Sequence, residues 1–294
     1  MRRYRLVPLV LAAALAAACV PPVPDNDEFV RFDEETVMGL VQDAGVLVVG
    51  ITEDVGLPWG TVAPDGGARG FAADVASDIA ESLRVDLEFR DAPNEELVGM
   101  VDEGSLDIAF PVETVTEEIV RKNAFSDPVF VSHQRLLVSS DAGVETLDDV
   151  SGEVCSPVDE ATGVEVHTLN PSAVTIPLEP GNARGCVPLL EDGLAHAATG
   201  TDVLLATMMA GLPSGYEVAG EQLTTEPLAV SLESGASGWV DYVNKIITEF
   251  DQEGRWAASW DRHFGPLLGG ETPEPPNMTL EEAAALFPSD LEEE

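Results

Sequence analysis

Residues 46–51, Val46-Leu47-Val48-Val49-Gly50-Ile51, form an unbroken apolar run bounded by glycine at Gly45. Such a run reads as a strand buried on both faces. Upstream, Glu34 to Ala44 reads as a short helix. Downstream, Pro64-Asp65-Gly66-Gly67 marks a turn before Gly70. Phe71, Val75, Ile79 and Leu83 then recur at i, i+4, i+8 and i+12, the single apolar stripe of an amphipathic helix. Val85 to Phe89 alternates as a strand, Glu95 to Asp102 is helical, and Leu106 to Phe110 is a further strand. Strand, helix, strand, helix, strand predicts βαβ units on a parallel sheet, an α/β fold.

Phe130 to Ser139 is extended, and beyond it the pattern starts again. Val154-Cys155, Val174 to Pro177 and Ala195 to Thr199 read as strands, with helices at Ala183 to Leu190 and Val203 to Ala210. Leu228 to Leu232 makes a second extended crossing, and Trp239, Val243, Ile246, Ile247 and Phe250 mark a helix followed by another near Trp256 to His263. Two α/β units joined by two extended crossings make a hinge. The expected division is 45–137 plus 229–268 for one lobe and 138–228 for the other, with an acidic tail at 269–294. Thr279 and Glu282 form a capping box there. The tail reads as a solvated appendage, the alternative being a docking segment.

Fourteen basic residues against 54 acidic ones leave a net charge of −40. Nucleic acid is excluded as a partner, because phosphates would be repelled, and so is loose adhesion to anionic lipid. The N-terminus carries Arg2, Arg3 and Arg5, then an apolar run from Leu6 to Ala18. The run is too short to span a bilayer and reads as a signal peptide, residues 1–18, followed by a tether and short helix at 19–44. Ala16-Ala17-Ala18-Cys19 resembles a lipobox, so Cys19 is the expected lipidation site, with Ala16 where a leucine is usual. The protein is then expected outside the cell membrane, attached through its lipid alone. Cys155 and Cys186 lack CxxC spacing and in an exported chain read as a disulfide, the alternative being two buried thiols. Closing that loop would stabilise by about 3–4 kcal/mol. His133, His167, His196 and His263 show no metal-ligand spacing, and no cofactor or metal is expected.

Phe32 to Met38, Ala44 to Gly50 and Pro58-Trp59-Gly60 together resemble the start of family 3 extracellular solute-binding proteins, the polar amino-acid receptors of ABC importers. Gly70 to Ala76, Leu106 to Ala109, Thr116-Glu117 with Phe125 to Phe130, Thr225 to Val230 and Val243 to Gly254 are similar to later family segments, in the same order. The placement of Cys155 and Cys186 resembles glutamate-type receptors, which are lipoproteins. The resemblance implies a periplasmic-binding-protein-like type II fold, two α/β lobes joined by a two-strand hinge. It also implies a monomer that closes on a small solute and presents it to an ABC permease.

Several positions depart from the family. The arginine that grips a ligand carboxylate, three residues after the threonine, is Ile119, with Arg121 and Lys122 nearby. The aspartate that takes the ammonium is Thr201, followed by Asp202, and the glycine-serine-threonine loop is Asp159-Glu160-Ala161. Pro111, Val112 and Thr114 replace serines, and Gly56 an aromatic. Hydrogen bonds to charged groups contribute about 1.5–3 kcal/mol each, so losing two weakens binding by roughly a hundredfold to ten-thousandfold. A neutral or cationic polar solute is expected, not glutamate. Glu53 and Asp202 are the candidate partners for its positive groups, Trp59 or Phe110 an apolar wall, and Thr114 a hydroxyl. Glu53 and Asp202 could instead cap helices, Trp59 be core and Thr201 a turn residue. A non-transporting sensor or docking protein is the first rival reading. An enzyme is the second, for which no Gly-x-Ser-x-Gly or paired carboxylates speak.

Overall fold

The computed structural model describes residues 30–144, 146–150, 152–157, 173–178, 182 and 184–288. The signal peptide, Cys19 and Asp159 lie outside them. Helix α1 (Val37–Ala44) is capped by Thr36, whose hydroxyl accepts from the Gly39 N–H, and ends at Gly45 in the left-handed region. Strand β1 (Val46–Thr52) follows, with Leu47, Val49 and Ile51 fully buried. After a short β2–β3 ribbon (Thr61–Val62 and Ala68–Arg69), α2 (Phe71–Leu83) buries its whole predicted stripe. Gly70 opens this helix at φ 118°, where a Cβ would meet the Trp59 carbonyl oxygen at 2.5 Å, so only glycine lets the two backbones approach. Strand β4 (Asp86–Ala92), α3 (Asn94–Asp102), β5 (Ile108–Phe110), α4 (Glu117–Lys122) and β6 (Ala124–Ser132) complete the first passage.

β7 (Gln134–Ser139), β8 (Gly152–Pro157), β9 (Ala173–Leu178), α5 (Cys186–Glu191), β10 (Ala197–Thr201), α6 (Asp202–Met209) and β11 (Tyr216–Ala219) build the second lobe. The chain returns through β12 (Glu226–Leu232), α7 (Ser237–Gln252), α8 (Arg255–His263) and α9 (Gly265–Leu268), and α10 (Leu280–Ala284) closes the described residues. Two five-stranded sheets result, in the orders β4-β1-β5-β12-β6 and β11-β7-β10-β8-β9. β1 runs parallel to β4 and β5, and β8 parallel to β9 and β10, while β12 and β7 pair antiparallel with their neighbours.

The sheets exchange the chain at His133 and again between Ala219 and Glu226. Gln134–Leu137, placed with the first lobe by sequence, therefore pair in the second sheet, and Glu226–Leu228 pair in the first. Hydropathy marks Phe130 to Ser139 as extended but does not report which sheet each residue joins. Cys155 and Cys186 form the expected disulfide, with Cα atoms 5.7 Å apart, joining β8 to α5 within the second lobe's core. The tail differs from the solvated reading: Ala283 and Ala284 of α10 are buried against Val115, Phe125 and Ala229.

Acidic groups on the first lobe set a pH dependence. Desolvation, opposed by Arg255, pushes the Asp78 carboxyl up to about 6. Desolvation also raises Asp107, although the Val48 N–H donates to it. For a carboxyl raised in the folded state, the stabilising contribution is full below its unfolded pKa and is lost as pH rises through the folded one. Asp74 behaves oppositely. Desolvation alone would raise it, but hydrogen bonds from His263 and Ser259 and the charges of His263 and Arg262 hold it low. Its contribution is lost only as pH falls below the ordinary carboxylate range. Thermal unfolding at constant ionic strength should therefore give a higher midpoint near pH 5 than near pH 7, with a flatter profile in Asp78→Asn. A midpoint that falls on mild acidification would contradict the assignment.

Candidate functional site

In open α/β sheets, ligands sit outside the carboxyl ends of parallel strands, where loops supply backbone and side-chain groups. Six strands lie in parallel pairs, and the described chain at their carboxyl ends includes Glu53–Gly56 after β1, Pro93–Asn94 after β4, Pro111–Thr116 after β5 and Asp202 after β10. The loop after β1 approaches α6, because the Thr207 hydroxyl lies 3.4 Å from the Leu57 carbonyl oxygen. Val203 and Ala206 of the same helix pack with the first lobe's core, whereas Leu205 and Met208 pack in the second's. Helix α6 is thus shared between the lobes.

The loop after β5 is held on both sides. Asn94 donates from Nδ2 to the Val112 carbonyl at 3.2 Å and accepts the Val112 N–H at 2.8 Å. The Thr114 hydroxyl donates to Glu226 Oε2 at 3.1 Å, and Thr224 donates to Oε1 at 2.6 Å. The Thr224 hydroxyl in turn accepts the Gln134 N–H. Glu226, nearly buried, therefore links the β5 loop to both crossings. Between Val112 and Thr114 stands Glu113. Solvent reaches its side chain, yet the protein packed round it raises its carboxyl above the ordinary range by desolvation. It has no hydrogen bond or ion pair with any described residue.

Asp202 is committed elsewhere. Its Oδ1 accepts from Arg135 Nε and Nη2 at 2.8 and 2.6 Å, and its Oδ2 accepts the His133 N–H at 3.0 Å, with His133 Nδ1 also at 3.0 Å. It is buried, so it serves as an internal ion-pair partner rather than a free acceptor for an ammonium. Thr201 N-caps α6. Trp59 and Phe110 are fully buried: the indole stacks on Phe71, its Nε1–H donates to the Phe110 carbonyl, and neither ring offers a wall to a solute. The Val112 side chain packs at the edge of the same core. Ile119 packs among Val115, Phe125, Ala283 and Ala284 beneath the tail. Arg121 turns onto its own helix, Nε donating to the Glu117 carbonyl, and Lys122 pairs with Glu118. Glu53 is exposed at the end of β1.

Glu113, Asn94, His133, Arg135 and Glu226 were not singled out as site residues by sequence reading. Glu113 carried one usable signal, a charge three residues past a buried strand's carboxyl end. The others act through partners far away in the chain. Among the described residues, no group of three or more His, Cys, Asp or Glu could hold a metal ion, and no helix is long and apolar enough to cross a membrane.

Two α/β sheets, two crossings and loops gathered at the strand ends define a hinged binding protein. Residues 47–266 match the bacterial extracellular solute-binding proteins, family 3, and the chain belongs to that family. It is 24% identical over 253 residues to the ABC transporter glutamine-binding protein GlnH of Bacillus subtilis (strain 168), covering 84% of this chain and 91% of that one. To the L-cystine-binding protein TcyJ of Escherichia coli (strain K12) it is 23% identical over 246 residues, covering 80% and 88%. Among solved structures, the ancestral cationic amino acid solute-binding protein AncCDT-1 superposes with a TM-score of 0.69 at 22% identity, covering 78% of this chain and all of the other.

The Asp202 geometry yields a direct test. Asp202→Ala leaves Arg135 and His133 facing an emptied partner and should destabilise by about 3–5 kcal/mol. Glu53→Ala, at an exposed carboxylate, should change stability by less than about 0.5 kcal/mol. Chemical denaturation of both variants separates the roles, and a neutral or stabilising Asp202→Ala would return that residue to the ligand.

Proposed function

We propose that this protein is an exported lipoprotein, anchored through Cys19, that closes its lobes on a small polar solute and delivers it to an ABC permease. The solute is an amino acid or amine that is neutral or cationic overall, and not glutamate. The relatives named for glutamine and for L-cystine fit a reading in which no net negative charge must be clamped. The observation that carries it is a reversal of charge at the strand ends. The position where the resemblance implies an arginine holds Ile119, packed and partly buried under the tail. Meanwhile Glu53 and Glu113 leave carboxylates at the ends of β1 and β5 without a side-chain partner among the described residues. Arg135, a guanidinium near the hinge, is occupied by Asp202. A solute of net negative charge entering here meets repulsion and no free bidentate fork, whereas an ammonium meets an acceptor on a braced loop. Closure requires that the solute contact both lobes more strongly when they are shut than when they are open.

A thermal-shift screen of the soluble ectodomain with amino acids, polyamines, betaines and small sugars tests the solute class. A true ligand at a hundred times its dissociation constant adds about 2.7 kcal/mol of stability. Glutamate should give no shift. In Glu113→Gln the response to the best cationic hit should fall by about tenfold or more in affinity, as expected for a charge-assisted bond. Tight stoichiometric capture of glutamate by the unaltered protein would refute the solute class. The anchor is tested separately: Cys19→Ser should move the protein from the membrane fraction to the soluble one.

A further inference from the structure

The tail covers a specific part of the first lobe. Ala283 and Ala284 are buried, and Met278 and Leu280 pack beside them, against Ile119 and Val120 of α4 and against Phe125 of β6. The first N–H groups of any helix lack partners inside it. Here two elements exchange that service. The Leu280 N–H of α10 donates to Asp127 Oδ1 of β6 at 2.8 Å, and the Glu117 N–H of α4 donates to the Phe287 carbonyl at 3.2 Å. The reciprocal capping box of Thr279 and Glu282 fixes the entry of the tail helix. The segment is therefore bonded at both its ends.

The contacts continue from this segment into the site. Val115 shares the tail's apolar cluster, and its N–H donates to the Pro227 carbonyl of β12 at 2.9 Å. One residue earlier, Thr114 reaches Glu226, and Glu226 reaches Thr224 and thence the backbone of Gln134. The loop that carries Glu113 thus lies between the tail on one side and both interlobe crossings on the other. We infer that residues 278–287 are a positioning strap. Seated on α4, the strap holds the 112–116 loop and, through Glu226, stiffens the hinge. Without it, loop and crossings loosen together while the rest of the first lobe keeps its order. Ile119 then has a role of its own: it is the apolar seat of the strap.

Amide hydrogen exchange tests this without a ligand, so its outcome is separate from the solute assignment. A chain ending after Gly270 is compared with the full chain at Val115, Leu223 and Gln134, each of which donates a backbone hydrogen bond away from the strap. The expected result is exchange about tenfold faster at all three, with β1 and α2 unchanged. The full-length Thr279→Ala variant removes only the hydroxyl of the capping box. It should accelerate the same three amides by roughly fivefold, the effect of losing a helix cap. Restoring Thr279 as Ser should reverse the effect. Acceleration confined to Val115 and the other residues beneath the strap, with Leu223 and Gln134 unchanged, would overturn the inference, as would a uniform rise that includes β1 and α2. If the shortened chain does not fold, the capping-box variant alone decides between these results.

Discussion

Two carboxylates are buried where the chain passes between sheets, and the rest of the molecule is arranged to satisfy them. An ionised carboxylate removed from water costs several kcal/mol unless charges or hydrogen bonds replace its hydration. Asp202 receives a guanidinium fork from Arg135 and the backbone and ring of His133. Glu226 receives the hydroxyls of Thr114 and Thr224. Each set of partners includes a residue of a crossing, His133 or Thr224, so the polar bonds at the hinge also restrict how it bends. Opening by rotation of a few backbone dihedrals at His133 and in the 220–225 segment is compatible with both pairings. The apolar seam at Val203 and Ala206 must part if the lobes separate further.

This constraint explains why the scaffold was more legible than the site. β1 and the α2 stripe follow from periodicity, because burial on two faces or on one leaves a signature in adjacent residues. The boundary between lobes does not. Phe130 to Ser139 is continuously extended, and the change of sheet at His133 is set by hydrogen bonds to Asp202, a residue 69 positions away. The same distance in sequence conceals the use of Asp202: a carboxylate next to Thr201 looks free until Arg135 is found beside it. Trp59 and Phe110 share this ambiguity. An aromatic near a strand end can line a cleft or fill a core, and only the packing of Trp59 on Phe71 and Phe130 settles it. The seating of the tail is hidden in the sequence for a thermodynamic reason. Its composition is acidic and poor in large apolar side chains. Two buried alanines, one capping box and two helix-end hydrogen bonds, one to the Asp127 carboxylate and one to the Phe287 carbonyl, suffice to seat it, because the surface it covers is already apolar.

The charge of the whole chain and the charge of the site are separate matters. A net charge of −40 creates a field that attracts cations and repels anions at long range, which alters encounter rates and solubility. At physiological ionic strength that field is screened within about 8 Å, so most of the 54 acidic residues contribute nothing to the affinity of a bound solute. What remains is local. A carboxylate with an internal partner, such as Asp202 or Asp74, has already spent its hydrogen-bonding capacity. One without a described partner, in a protein-crowded position on a braced loop, is costly to leave charged and gains from an ammonium that neutralises it. Glu113 stands on the braced loop without a described side-chain partner, and desolvation raises its carboxyl. Selection by such a group requires that the loop not relax away from the strand ends. On the proposed reading, bracing by Asn94, Glu226 and the strap would bear on binding even though none of those elements need touch the solute.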